Sequence, residues 1–106
     1  MAQQFDLPEL MERGEGVYTK YCVACHGVNG EGGVGKAIAG SPYAVGPVAD
    51  HLDIVVNGSK ANPAMQAFGG TLNDLDMAAV ITYQRNAFGN NMGDSVQALD
   101  VYNFKK

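Results

Sequence analysis

Apolar residues recur at helical spacing in two stretches of the chain and give way between them to long irregular segments. Leu7, Leu10, Met11, Gly14, Val17, Tyr18 and Tyr21 fall on one helical face, and the spacing predicts a first helix from Pro8 to Cys25. Asp6 with Glu9 three residues on has the form of a capping box, and Pro8 suits a first turn. From Gly27 to Pro47 the period is lost among seven glycines (Gly27, Gly30, Gly32, Gly33, Gly35, Gly40 and Gly46) with Pro42 and Pro47, which predicts a wrapping loop. Asp50 is placed to cap a short helix through His51, Leu52, Ile54, Val55 and Val56, with Gly58 as its stop. A second irregular stretch runs from Ser59 to Gly70. Asn73 with Asp76 then caps a last helix carrying Leu75, Ala79, Val80 and Tyr83, ended by Gly89 and followed by a polar tail from Asn90 to Lys106. No repeat and no cleanly alternating strand is visible, so the expected class is all-α. Loops longer than about 12 to 15 residues are uncommon in compact domains unless they serve a site, so this pattern calls for something central to wrap.

Length and charge narrow the options. A chain of 106 residues that is 46% hydrophobic supports one core. Seven basic against 11 acidic residues, without a Lys/Arg cluster, argues against a nucleic acid or an anionic membrane surface as partner. No apolar run approaches the roughly 20 residues of a membrane span, and Met1 to Leu10 carries Asp6 and Glu9 where an export signal has a basic and then an apolar stretch. The expectation is a chain without direct membrane insertion.

The two cysteines lie three residues apart, too close to staple distant elements. With the residue that follows they make Cys22-Val23-Ala24-Cys25-His26, the C-x-x-C-H pattern of covalent haem attachment. On a helical turn, positions i, i+3 and i+4 share a face. Two thiols then meet the two vinyl groups along one haem edge while the imidazole of His26 reaches the iron. A redox dithiol would follow a strand in a βαβ unit, and a zinc site would need four ligands where His51 is the only other imidazole.

An electron carrier fills both axial positions from the protein, and His/Met ligation raises the potential. Met11 shares the helix of the attachment site and Met1 is terminal. Met77 sits among Leu75, Val80 and Ile81, where methionine commonly fills core gaps, and Met92 lies in an exposed Gly/Asn-rich context. Met65, in the second loop and 39 residues beyond His26, has enough chain to pass round a haem edge and is the preferred sixth ligand, with Met77 and Met92 left as alternatives. His51, beside Asp50 and Asp53, is expected to be structural, either solvated or carboxylate-paired. Gly14 and Tyr18 with Val80 and Tyr83 predict a close crossing of the first and last helices. Val23, Ala24, Val28, Ala67 and Phe68 are either an apolar rim at the haem edge or ordinary surface and core.

Gly14, Tyr18, Cys22, Cys25 and His26, together with Val80 and Tyr83, resemble the first- and last-helix motifs of class I cytochrome c. That resemblance implies an all-α fold of three to five helices wrapped round one covalent haem c with His/Met ligation. Gly46 to Val55, Ala64 to Gly69 and Val80 to Asn90 are similar, more narrowly, to the cytochrome c domain at the C-terminus of subunit II in bacterial caa3-type cytochrome c oxidases. The likeness covers residues 9–93, leaving 1–8 as an N-terminal extension and 94–106 as a tail.

The narrower likeness implies that the haem takes electrons from an upstream donor and hands them to the dinuclear copper centre of a proton-pumping oxidase. The chain would then be an electron-transfer domain, not itself an enzyme, held at the periplasmic side of the bacterial inner membrane through its parent subunit. It lacks the cysteine pair and extra histidine of such a copper centre, so it would be the haem domain alone, with Met1 an added start and the export signal upstream. Family members often carry a proline near position 36 whose carbonyl receives the imidazole N–H, and Lys36 stands there. Gln66 and Phe88 replace a common proline and tryptophan. The alternatives are a free-standing periplasmic cytochrome serving another reductase or dehydrogenase, a five-coordinate haem open to gas or peroxide, and a haem that only plugs the fold.

Overall fold

A computed structural model describes residues 4–60 and 65–106. Met1 and the Asn62-Pro63-Ala64 part of the expected second loop lie outside the described residues. The described chain is all-helical: α1 Leu7–Tyr21, α2 Val23–His26, α3 Val48–Asn57, α4 Asp74–Asn86 and α5 Ala98–Lys105.

Helix α1 starts as the sequence predicts, with Pro8 in the first turn and Asp6 Oδ1 accepting from the Glu9 amide at 3.0 Å. It does not run unbroken to Cys25. Cys22 leaves helical geometry at φ −116°, ψ −29°, and the attachment motif occupies its own turn, α2. Helix α3 begins earlier than predicted, at Val48 behind Pro47, so Asp50 sits inside its first turn and is not the cap. The fixed φ of a proline prepares that start without a side-chain cap. Gly58 ends α3 as expected, at φ 81°. Asn73 caps α4, its Oδ1 accepting from the Asp76 amide at 2.7 Å, but α4 stops at Asn86, before Gly89.

Helix α1 packs against α4 and makes the main helix contact of the fold. A Cβ on Gly14 would collide with the Ala79 carbonyl and stand 2.6 Å from Tyr83 Cβ, so only glycine lets the two backbones approach this closely. Tyr18, Tyr83 and Phe88 fill the space beside the crossing with ring centroids 5.2 to 5.6 Å apart. Arg13 reaches Asp76 at 2.7 Å across the same contact.

The expected polar tail needs correction. Val96 and Val101 are buried, and α5 packs on α4 with Lys105 Nζ 3.1 Å from Asp74 Oδ1. Thr82 Oγ1 donates to the Val96 carbonyl at 3.2 Å and accepts from its amide at 2.9 Å. Val96 and Val101, with the partly buried Phe104, cover a face of α4 that the first four helices leave open, and α4 is buried nearly all round: Met77 to Thr82 are all buried.

Candidate haem site

The helices and loops surround a cavity of about 340 Å³ lined by Cys22, Cys25, His26 and Met65 and by the apolar side chains of Ile54, Val55, Phe68, Leu72 and Val80. The turn of α2 is what gathers the first three. Cys25 N and His26 N both bond the Cys22 carbonyl, at 3.2 and 3.0 Å, so the two thiols and the imidazole leave one compact turn. Cys22 is half-buried and Cys25 exposed, and neither is in a disulfide. Burial, and then the neighbouring Cys25, push the Cys22 thiol up to about 11, the opposite of the lowered value a redox dithiol uses. Among the described residues no group of three or more His, Cys, Asp or Glu side chains converges as a metal centre, which disfavours zinc.

His26 is fixed by the first loop. Its Nδ1 lies 2.6 Å from the Lys36 carbonyl, so that nitrogen donates and Nε2 keeps its lone pair for a metal. Lys36 supplies this acceptor in place of proline because the backbone oxygen, not the side chain, does the work. The loop comes close enough because Gly35 passes over the imidazole: a Cβ there would stand 2.9 Å from His26 Cε1. Gly35 N also bonds the Cys25 carbonyl at 2.8 Å, locking loop to motif.

Met65 lies where the second loop crosses α3. Its carbonyl accepts from Ser59 N at 3.0 Å, while Phe68 N and Gly69 N bond the Val55 and Val56 carbonyls at 2.9 and 3.0 Å. These bonds run the loop along α3 and bring Met65 to the same cavity as His26. The other methionines are elsewhere: Met77 is wholly buried in the core and Met92 is 38% exposed at the surface. Of the apolar residues expected at a haem edge, Val28 is well exposed and Phe68 is buried against the cavity.

His51 is structural, as expected, but in other surroundings than expected. It is buried, and its Nε2 meets Gln84 Oε1 at 2.7 Å, so it is neither solvated nor paired with Asp50 or Asp53. Burial lowers its pKa to about 4, and the nearby Arg85 guanidinium opposes protonation as well. With Nε2 taken by Gln84, His51 is not poised as an axial ligand.

Residues at and just beyond the C-terminal end of α4 also shape the site. Asn90 ties the first loop to the helix, donating to the Ile38 and Gln84 carbonyls at 3.2 and 2.8 Å and accepting from Gly40 N at 2.7 Å. Arg85, only 2% exposed, bonds Asp94 at 2.8 Å and the Gly46 carbonyl at 2.7 Å. A glutamine and an arginine inside the apolar run of α4 were the available signal, since buried charge is rare unless it is partnered.

The donor set fits a haem. Two thiols and an oriented imidazole leave one turn, a thioether lines the same space, and the wall between them is hydrocarbon, as a porphyrin face requires. The family described as cytochrome c oxidase, cbb3-type, subunit III matches residues 9–83. A gluconate 2-dehydrogenase cytochrome c subunit of Pantoea cypripedii is similar at 28% identity over 108 aligned positions, covering 90% of this chain and 24% of that protein. The chain thus spans about a quarter of that relative's length. Neither comparison supports the narrower likeness to subunit II of caa3-type oxidases. The chain belongs to the family described as cytochrome c oxidase, cbb3-type, subunit III, as a cytochrome c domain that binds haem c covalently and transfers electrons through it.

Proposed function

We propose that this domain relays single electrons through a closed, six-coordinate haem attached at Cys22 and Cys25, with His26 and Met65 as axial ligands. The observation that carries the reading is the convergence of the oriented His26 imidazole and Met65 on one apolar cavity. Bound there, the haem supplies a one-electron couple. The chain holds it at two thiols, aims His26 through the Lys36 carbonyl, and keeps water from the metal with Ile54, Val55, Phe68, Leu72 and Val80. Filling both axial positions denies oxygen and peroxide a place to bind.

On the same reading the domain works on the extracytoplasmic side of a bacterial inner membrane, taking electrons from an upstream donor. Its acceptor would be the dinuclear copper centre of an oxidase. The similarity to a dehydrogenase cytochrome subunit favours a second reading, in which a dehydrogenase is the source of the electrons. The net charge of −4 suits a partner with a basic docking face.

The test is the visible spectrum of the oxidised protein against that of Met65→Ala. The wild type should show the weak methionine-to-iron charge-transfer band and the variant should lose it. A band that survives in Met65→Ala would move the ligand assignment to another methionine and refute this one.

A further inference from the structure

A haem attached at Cys22 and Cys25 would bring two carboxylates into the cavity on the edge away from its thioether bonds, and a buried carboxylate requires donors. Among the polar groups of the cavity wall, Gln84 and His51 are the most deeply buried, at 4% and 2% exposed. Behind them stands Arg85. Its Nε is on Asp94, one terminal nitrogen is on the Gly46 carbonyl, and the other lies 3.4 Å from the Tyr43 carbonyl and 3.5 Å from His51 Nδ1.

Donor and acceptor types set the direction of this chain. A guanidinium has only donors, so His51 Nδ1 accepts from Arg85. The proton of the neutral imidazole is then on Nε2, which donates to Gln84 Oε1 at 2.7 Å. The amide orientation follows: with its oxygen committed to His51, Gln84 has its NH₂ left to give. Among the described residues no group accepts from that nitrogen, and the only side-chain nitrogen or oxygen both sealed from solvent and unpaired is Asp94 Oδ1. The Gln84 NH₂ therefore opens to the cavity it lines.

We propose that the Gln84 NH₂ donates to a haem carboxylate, and that Arg85 and His51 are positioning residues that hold the amide in that orientation. This rests on haem occupying the cavity. The charged groups acting on His51 are Arg85 from α4 and Asp94 from the segment after it; the other titratable groups lining the cavity are Tyr21, Cys22, Cys25 and His26 from α1 and the attachment motif and Lys36 and Tyr43 from the first loop. The relay delivers the influence of a buried cation to the carboxylate without placing the guanidinium in the cavity wall.

The experiment measures the reduction potential of the haem-loaded protein from pH 4 to 9 and compares wild type with Gln84→Leu, Gln84→Glu and His51→Leu. A donor to the ionised carboxylate lowers its pKa, so Gln84→Leu should move the pH at which the potential changes slope upward by about one pH unit. Gln84→Glu, nearly isosteric and carrying a second carboxylate, should move it further. His51→Leu keeps Gln84 but frees its amide to turn, and should shift the profile in the same direction. A merely structural role would leave all four profiles alike while stability fell. Superimposable profiles in proteins that keep the methionine charge-transfer band would overturn the proposal and leave the haem assignment standing. Absence of that band from the wild type would refute the ligand assignment instead.

Discussion

The crossing of α1 and α4 can be tested with one substitution made twice. Gly14 and Gly16 lie on the same helix, two residues apart, and replacing either with alanine gains about 0.5 to 1 kcal/mol of helix propensity. Their surroundings differ. A Cβ at Gly16 meets nothing within 4 Å, whereas at Gly14 it stands 2.6 Å from Tyr83 Cβ and 2.8 Å from the Ala79 carbonyl carbon. Carbon atoms pack at about 3.5 to 4.0 Å, so the helices must part by about 1 Å, an overpacking cost of about 1 to 3 kcal/mol. Gly16→Ala should therefore stabilise the protein by up to about 1 kcal/mol, and Gly14→Ala should fall below Gly16→Ala by about 1 to 3 kcal/mol. The propensity gain cancels in that difference, which isolates the crossing. Denaturant unfolding of the haem-loaded proteins reads it directly. Equal midpoints for the two variants would show that the helices do not meet at Gly14, and the packing derived for this fold would be wrong.

Other consequences follow from the same structure. His51 has a folded pKa of about 4 against an ordinary 6.5, so its contribution to stability is complete above pH 6.5 and is lost as the pH falls toward 4. At about 1.4 kcal/mol per pH unit the loss is roughly 3 kcal/mol, and pH-dependent unfolding of His51→Gln should show a shallower fall over that window. A parallel fall would assign the acid sensitivity to other groups. Asn90→Ala removes two bonds to the first loop and one to α4 and should cost about 1 to 3 kcal/mol, with faster hydrogen exchange at the Gly40 amide, whose bond it breaks. Unchanged exchange there would mean that the loop is held by something else. Electron transfer with a basic partner should slow as salt rises, and a salt-independent rate would point to an apolar contact.

Much of the site was legible because its chemistry is local. Cys22, Cys25 and His26 sit within five residues, and the helical turn that gathers them needs no tertiary information. The Gly14 crossing was legible for a similar reason, since a glycine on an apolar helical face asks for a close neighbour. The first helix was drawn too long because the periodicity passes straight through Cys22, where only backbone dihedrals reveal the break. The α5 segment is hard to read from sequence because its apolar residues fall on both sides of a short helix: Val101 is buried and Phe104 packs on the core, while Leu99 and Tyr102 are exposed. The structural role of His51 is legible, but its partner is not: the acidic neighbours on α3 suggest a carboxylate, whereas the bond comes from α4, 33 residues away at Gln84. Long-range polar pairing of this kind leaves no trace in local spacing, although a glutamine and an arginine placed side by side in an apolar helix hint at it.

The central claim is a haem closed by His26 and Met65, and the most direct measurement is exposure of the reduced protein to carbon monoxide at neutral pH. A closed iron predicts that the spectrum stays as it was. Rapid carbon monoxide binding would mean that the sixth position is open, and would contradict the account of this domain as a simple electron carrier.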